Sequence, residues 1–330
     1  MNSASSRWFS RRGAARAAGS DVSPRVNRRA LVVGGLGLMV PPAYGQDSGS
    51  QDPGGDATPV TVASKGDAEG TLLGQMILQT LRRLGLPTRD RLQLGPTRIV
   101  RAALLAGEID AYPEYTGNVA FFSGTETDPL WKSAQAGYEA ARRFDAPHGL
   151  VWLARARANN SSQIAVRGSL ARAQGLATMA DFARAARAGL IRLAASAEFV
   201  ESPAALAAYE AAYGFHLPRE GIVTLPGGDT AVTLRAAAQG ISGVNAGMVY
   251  GTDGAIDALD VVVMADPQGA QIVYEPAPVF RQAVLARHPA IAPALDRIFS
   301  GLDLPTLRRL NARIAVEGET PDAVARAYLG

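Results

Sequence analysis

Apolar and polar residues recur along the chain with the periods of alternating strands and helices, in two successive series. The first series predicts strands at residues 60–64, 91–94 and 109–112, and helices over residues 69–84 and 97–105. The first of these helices gathers its apolar side chains on one face: Leu72, Leu73, Met76, Ile77, Leu81 and Leu84. Because strands and helices alternate, the series predicts a parallel sheet with helices packed on its faces.

The second series begins after Trp152 and has the same character. It predicts strands at residues 163–166, 191–195, 222–225, 244–250 and 259–264, and helices over residues 178–186, 203–213 and 230–239. The remaining chain is predicted to be mostly helical, at residues 279–287, 290–299, 305–315 and 321–328. Two α/β series followed by a helical tail predict an α/β protein with two lobes.

An N-terminal segment has the three parts of an export signal. An arginine-rich region ends at Arg28-Arg29, eleven apolar residues follow at 30–40, and small residues precede Gln46. Eleven residues are too few to span a bilayer as a helix, which needs about 20. We therefore predict a signal at residues 1–45, cleaved after Gly45, and a flexible lead-in at residues 46–59. The paired arginines leave the general and the twin-arginine export routes both open.

Charge and cysteine content exclude several classes of protein. The chain has 33 basic and 30 acidic side chains, a formal net charge of +3. Residues 1–45 contain seven arginines and one aspartate, so the rest of the chain is slightly acidic and a nucleic-acid partner is not expected. The absence of cysteine excludes disulfides, thiolate metal sites and a lipid anchor on an N-terminal cysteine.

Sequence signatures of enzymes are few. The three histidines lie far apart, and no metal-ligand spacing, nucleophile elbow or Walker loop is present. Residues 227–229 (Gly-Gly-Asp) precede a helix and fit either an anion site or an ordinary helix start. Asp253 and Glu114 form the best carboxylate pair that an enzyme would have. We expect no catalytic residues, no metal and no cofactor.

Polar and aromatic residues cluster where predicted strands end. The clusters are residues 112–118, 159–162, 250–254 and 274–278. In α/β sheets, ligands bind beyond the carboxyl ends of strands. Four such clusters distributed over two lobes predict a ligand cleft between the lobes.

The motifs in these clusters resemble those of a known family. They are GEIDAYPEYTG at residues 107–117, NNS at 159–161, ASAEF at 195–199, YGTDG at 250–254 and PAP at 276–278. The sequence resembles periplasmic glycine betaine/choline-binding proteins of osmoprotectant ABC importers, particularly the osmotically regulated subgroup, from about residue 60 to 329. The resemblance implies a two-lobed type II periplasmic-binding-protein fold. Lobe 1 would take residues 60–150 and 255–330, and lobe 2 residues 151–254.

The resemblance also implies a function without covalent chemistry. The protein would capture a betaine-like quaternary-ammonium osmoprotectant in the periplasm, as a monomer, and deliver it to an ABC permease of the inner membrane. Three alternatives stay open. The same fold would serve another small zwitterion or cation, an exported enzyme, or a protein that reports ligand occupancy to a membrane receptor.

Carried over by position, the resemblance implies an aromatic cage for the trimethylammonium group made of Tyr115, Tyr250 and Tyr274. Lys65 and Asn118 would contact the ligand carboxylate. Further pocket positions are Asn160, Ser161, Ser162, Phe199 and Thr252. Ser162 stands where relatives have a fourth aromatic wall, and Ser202 where they have an arginine; Phe199 is an alternative fourth wall. Each loss is worth about 1–3 kcal/mol, so an affinity roughly a hundredfold weaker is expected.

Overall fold

A computed structural model describes residues 58–225 and 230–330. The strands are β1 (Val60–Lys65), β2 (Thr88–Gly95), β3 (Ala111–Tyr115), β4 (Leu150–Trp152), β5 (Ser162–Arg167), β6 (Leu193–Ser196), β7 (Ile222–Leu225), β8 (Ala246–Tyr250), β9 (Val261–Val263) and β10 (Pro276–Arg281). The α-helices are α1 (Ala68–Arg83), α2 (Thr97–Ala106), α3 (Asn118–Ser123), α4 (Ala134–Asp145), α5 (Gly168–Gln174), α6 (Met179–Arg187), α7 (Ala197–Glu201), α8 (Leu206–Tyr213), α9 (Thr230–Gln239), α10 (Gln282–Arg287), α11 (Ile291–Ser300), α12 (Leu304–Ala315) and α13 (Pro321–Leu329).

The strands form two five-stranded sheets, in the orders β2-β1-β3-β10-β4 and β7-β6-β8-β5-β9. In the first sheet β1 pairs in parallel with β2 and β3, whereas β10 runs antiparallel to β3 and β4. In the second, β6 is parallel to β7 and β8, and β5 is antiparallel to β8 and β9. The α/β class and the two-lobed architecture are therefore confirmed. The three strands of the first predicted series are parallel as expected, and β10 and β4 add antiparallel pairs to their sheet.

Local capping explains where the helices begin. The Asp67 carboxylate accepts the Gly70 N–H at 2.6 Å and starts α1. Thr178 and Asp181 form the capping box of α6, so this helix begins where it was predicted to within one residue. The helix predicted over residues 203–213 begins only at Leu206, as α8, and Ser202 instead ends α7.

Separate hydrophobic cores hold the two sheets. Helices α1 and α11 to α13 cover one face of the first sheet, where Leu72, Met76 and Phe299 are fully buried. Leu104 of α2 and Trp131 lie in a core on its other face. A third core joins α6 and α8 to the second sheet. Because both faces of the first sheet are covered, its central strands β1 and β3 are buried along their length, and side chains are accessible mainly at the strand ends.

β10 was not expected, because residues 279–287 were predicted to be helical. Residues up to Arg281 instead form the strand between β3 and β4, and only α10 is helical. Pro276 and Pro278 lack N–H donors, which disfavours a central strand. Their carbonyl oxygens nevertheless accept hydrogen bonds from Ala156 and Leu153, at 2.8 and 2.9 Å, so the strand is held by its acceptors.

Sheet membership moves the expected lobe boundaries by a few residues. β4 extends past residue 150 within the first sheet, and β9 belongs to the second sheet although residues 255–330 were assigned to lobe 1. We therefore propose that the chain passes between lobes at residues 153–161 and 264–275.

The predicted export signal, most of the lead-in and residues 227–229 lie outside the described residues. Within residues 58–225 and 230–330, no helix has both the length and the hydropathy needed to cross a bilayer.

Candidate functional site

Three tyrosines from the two sheets are brought together. Tyr115 ends β3, Tyr274 lies just before β10, and Tyr250 ends β8 of the second sheet. Burial, followed by nearby carboxylates, first that of Glu198, raises the pKa of the Tyr250 hydroxyl to about 12. The pKa of Tyr274 is also raised, by burial and then by Glu198 and Tyr250. Tyr250 and Tyr274 therefore lie within electrostatic range of each other.

Gly117 leaves room for the Tyr274 ring. Its backbone angles, φ −64° and ψ −23°, suit any residue, so the need for glycine is one of space. A Cβ atom at this position would lie 2.7 Å from Cδ1 and Cε1 of Tyr274 and from Cγ2 of Ile272. The Tyr274 ring thus packs directly on the backbone two residues beyond Tyr115.

Lys65 and Asn118, which were expected to contact the ligand carboxylate, both donate to Glu114. Its side chain is fully buried, and Oε1 accepts hydrogen bonds from Lys65 Nζ at 2.8 Å and Asn118 Nδ2 at 2.7 Å. Oε2 accepts one from the Tyr112 hydroxyl at 2.7 Å. Lys65 Nζ also lies 4.4 Å from the centre of the Tyr115 ring, within cation–π range. The charge of Lys65 is therefore compensated inside the protein.

Glu69 is a second buried carboxylate at the site, and nothing in its sequence context distinguishes it. Its Oε1 accepts the Tyr115 hydroxyl at 2.6 Å and the Asn160 amide at 3.2 Å, and its Oε2 accepts the Asn311 amide at 2.6 Å. Burial raises the pKa of Glu69, although hydrogen bonds with the Thr252, Tyr115 and Asn311 side chains oppose the rise. Glu69 lies in the first turn of α1, two residues after the capping Asp67, and acids are common at the start of a helix.

Three of the expected pocket residues hold the linking segments together. The Ser161 hydroxyl contacts Asn159 Oδ1 at 2.6 Å and the Ile272 carbonyl oxygen at 2.5 Å. The Thr252 hydroxyl donates to Asn160 Oδ1 at 2.7 Å. Ser161 and Thr252 are 3% and 1% exposed, so their side chains support the site from within the fold.

The position of the missing aromatic wall is next to Tyr250. Ser162 pairs directly with Tyr250 across the antiparallel strands β5 and β8, which places both side chains on one face of the sheet. Phe199, the alternative wall, is 2% exposed and packs in the core of the second lobe. The Phe199 side chain therefore does not take the place of the aromatic residue that relatives have at the position of Ser162.

The carboxylate pair considered for an enzyme has other roles. Glu114 is occupied by its donors, and Asp253 Oδ2 accepts the Tyr250 backbone N–H at 2.8 Å. Among the described residues, no cluster of three or more histidine or acidic side chains has an arrangement that fits a metal ion. Both carboxylates are thus engaged in hydrogen bonds within the fold.

Comparison with known proteins assigns the chain to a family. The model of the substrate-binding domain of ABC-type glycine betaine transport systems matches residues 58–330. The chain belongs to this family. Its members are substrate-binding proteins of ABC transporters, and the resemblance deduced from the motifs is confirmed.

Individual relatives agree with this assignment. The substrate-binding protein is 52% identical over 275 residues to the glycine betaine-binding protein YehZ of Escherichia coli, covering 83% of this chain and 90% of YehZ. It is 31% identical over 280 residues to a glycine-betaine-binding protein of Pseudomonas aeruginosa, covering 83% and 88% of the two chains. The solved structure of apo YehZ superposes with a TM-score of 0.71 and covers 83% of this chain and 98% of that one.

Proposed function

We propose that this substrate-binding protein captures a small quaternary-ammonium osmolyte of the glycine betaine type between its lobes and delivers it to an ABC permease. The observation that carries the proposal is the convergence of Tyr115, Tyr250 and Tyr274 from two sheets. A trimethylammonium group forms no N–H hydrogen bonds and is recognised by aromatic faces, each worth about 0.5–2 kcal/mol. Binding across two lobes favours the closed form, and no covalent step is required.

The family and the relatives support this ligand class. YehZ and the Pseudomonas relative are both named for glycine betaine. The predicted export signal would place the protein in the periplasm, beside a permease of the inner membrane. We propose that it acts there as a monomer without enzymatic activity.

Charge around the cleft favours a second candidate, a quaternary-ammonium alcohol such as choline. The carboxylates of Asp67 and Glu198 raise the pKa of Tyr250, so the field at this proposed cage wall favours a cation. Lys65 and Asn118 instead bind Glu114. A cation without a carboxylate does not need these donors, so its binding would be little affected. A betaine, in contrast, would find few free donors for its carboxylate.

Isothermal titration of the mature protein tests the proposal. The probes are glycine betaine, choline, proline betaine, carnitine and a panel of amino acids. We expect saturable binding of a quaternary ammonium compound, weakened more than tenfold by Tyr115→Ala and unchanged by Tyr328→Ala, a tyrosine of the C-terminal helix. Heat only from an amino acid would contradict the proposed ligand class.

A charge-neutral double variant decides what Lys65 contributes. Lys65→Met with Glu114→Gln removes the ion pair without changing the net charge of the cleft. Because Lys65 is held by Glu114, we expect the affinities for glycine betaine and choline to change by the same factor, within about threefold. A selective loss of glycine betaine binding of tenfold or more would show instead that Lys65 holds the ligand carboxylate. The measurement is titration of both ligands into both proteins.

A further inference from the structure

We propose that Glu69 is a positioning residue: it fixes the Tyr115 ring through the Tyr115 hydroxyl and connects that ring to the segments that join the lobes. The inference rests on the proposed function, since it concerns how the cage is oriented. Its basis is the contact set of one buried carboxylate, which is 8% exposed.

The Glu69 oxygens accept hydrogen bonds from oriented donors. The Asn160 amide is oriented by the Thr252 hydroxyl, which occupies its oxygen at 2.7 Å and directs its nitrogen toward Glu69. The Asn311 nitrogen is directed in the same way by its second hydrogen bond, to the Thr252 carbonyl oxygen at 2.9 Å. Glu69 is therefore held in place by amides whose own positions are fixed.

A fixed acceptor positions the ring that donates to it. The Tyr115 hydroxyl donates a short hydrogen bond to Glu69 Oε1, at 2.6 Å. This bond anchors the hydroxyl end of the ring and so determines where the ring face that a cation would contact lies. Glu69 thereby acts on the ligand through Tyr115 without touching it.

The residues around Glu69 come from both lobes and from one linking segment. Asn160 lies between β4 and β5, in the first linking segment, and Thr252 follows β8 of the second lobe. Asn311 belongs to α12 of the first lobe. The orientation of Tyr115 is therefore tied to the relative position of the two lobes.

A double-mutant cycle tests this role. We expect Glu69→Gln and Tyr115→Phe each to weaken quaternary-ammonium binding about tenfold, because each disrupts the same hydrogen bond between the Tyr115 hydroxyl and the residue 69 side chain. The double variant is expected to be no weaker than either single variant within about twofold. Effects that multiply in the double variant, or a Glu69→Gln affinity equal to that of the wild type, would overturn the proposal.

A spectroscopic signature separates positioning from general support of the fold. In protein labelled with ¹³C at the tyrosine ζ-carbon, the Tyr115 resonance is identified by its loss in Tyr115→Phe. We expect Glu69→Gln to shift that resonance in the absence of ligand. Asp110→Asn, which changes a carboxylate at the opposite end of β3 that accepts the Thr61 N–H, should leave it unmoved.

The two experiments also distinguish failure of this inference from failure of the proposed function. An unmoved Tyr115 resonance in Glu69→Gln overturns the inference even when the ligand binds normally. If no quaternary ammonium compound binds the wild type, the proposed function fails, whereas the resonance still reports on the Glu69–Tyr115 contact. If Glu69→Gln does not fold, Tyr115→Phe carries the test: an affinity equal to the wild type rules out a role for the hydroxyl.

Discussion

Replacing Gly117 with alanine is expected to weaken ligand binding tenfold or more and to lower the free energy of unfolding by about 1–3 kcal/mol. The added methyl group would lie 2.7 Å from two ring carbons of Tyr274, so the ring must move. Because Tyr274 is a proposed wall of the cage, its displacement alters the proposed binding site. Titration with glycine betaine and urea denaturation measure the two effects.

Gly137→Ala is the matched control for this substitution. Gly137 lies inside α4, where a new Cβ atom would have its nearest neighbour at 3.4 Å, in ordinary contact with Trp131. Alanine favours a helix interior over glycine, so we expect unchanged affinity and equal or higher stability. An affinity in Gly117→Ala within twofold of that of the control would contradict the role assigned to Tyr274.

The largest loss of stability is expected from Asp145→Ala. Asp145 is fully buried, and Arg101, 7% exposed, donates to its two oxygens at 2.6 and 3.3 Å. The Trp152 indole donates to the same carboxylate at 2.8 Å. Removing the acid leaves a buried guanidinium without its counter-charge, which costs about 3–5 kcal/mol. Chemical denaturation of the two proteins measures the difference.

An exposed ion pair of similar geometry provides the comparison. Arg172 donates two hydrogen bonds to Asp260, at 2.7 and 2.8 Å, but both side chains are more than half exposed. Water screens such a pair, so Asp260→Ala should change stability little. Equal losses in the two variants would mean that burial does not determine the contribution of Asp145.

Much of the fold was predictable from the sequence because its signals are local. Periodicity and caps placed α1, α6 and α11 to α13 within one or two residues of their positions in the structure. β10 was missed because two prolines argue against a central strand, and nothing local reveals that their carbonyl groups have partners about 120 residues earlier in the chain. Long-range pairing of this kind is not encoded in any short window.

The candidate site was predictable to a smaller extent. The family resemblance drew attention to the three tyrosines, and the structure brings them together. The sequence could not show that Lys65 and Asn118 bind Glu114, because a charge and its partner are recognised only when the fold places them in contact. The contact between Glu69 and Tyr115 could not be predicted for the same reason, because only the structure shows that Glu69 is buried and which groups surround it.

The order of strands in the two sheets has a consequence for how the chain folds. All strands of the second sheet lie between residues 162 and 263, an uninterrupted stretch. The first sheet stays incomplete until β10 reaches its place between β3 and β4, which pairs residue 276 with residue 115. Closing so long a loop is slow compared with forming local contacts. As the chain becomes available from its N-terminus, the second lobe can therefore complete its sheet first. The sheet of the first lobe can be completed only after β10 is available.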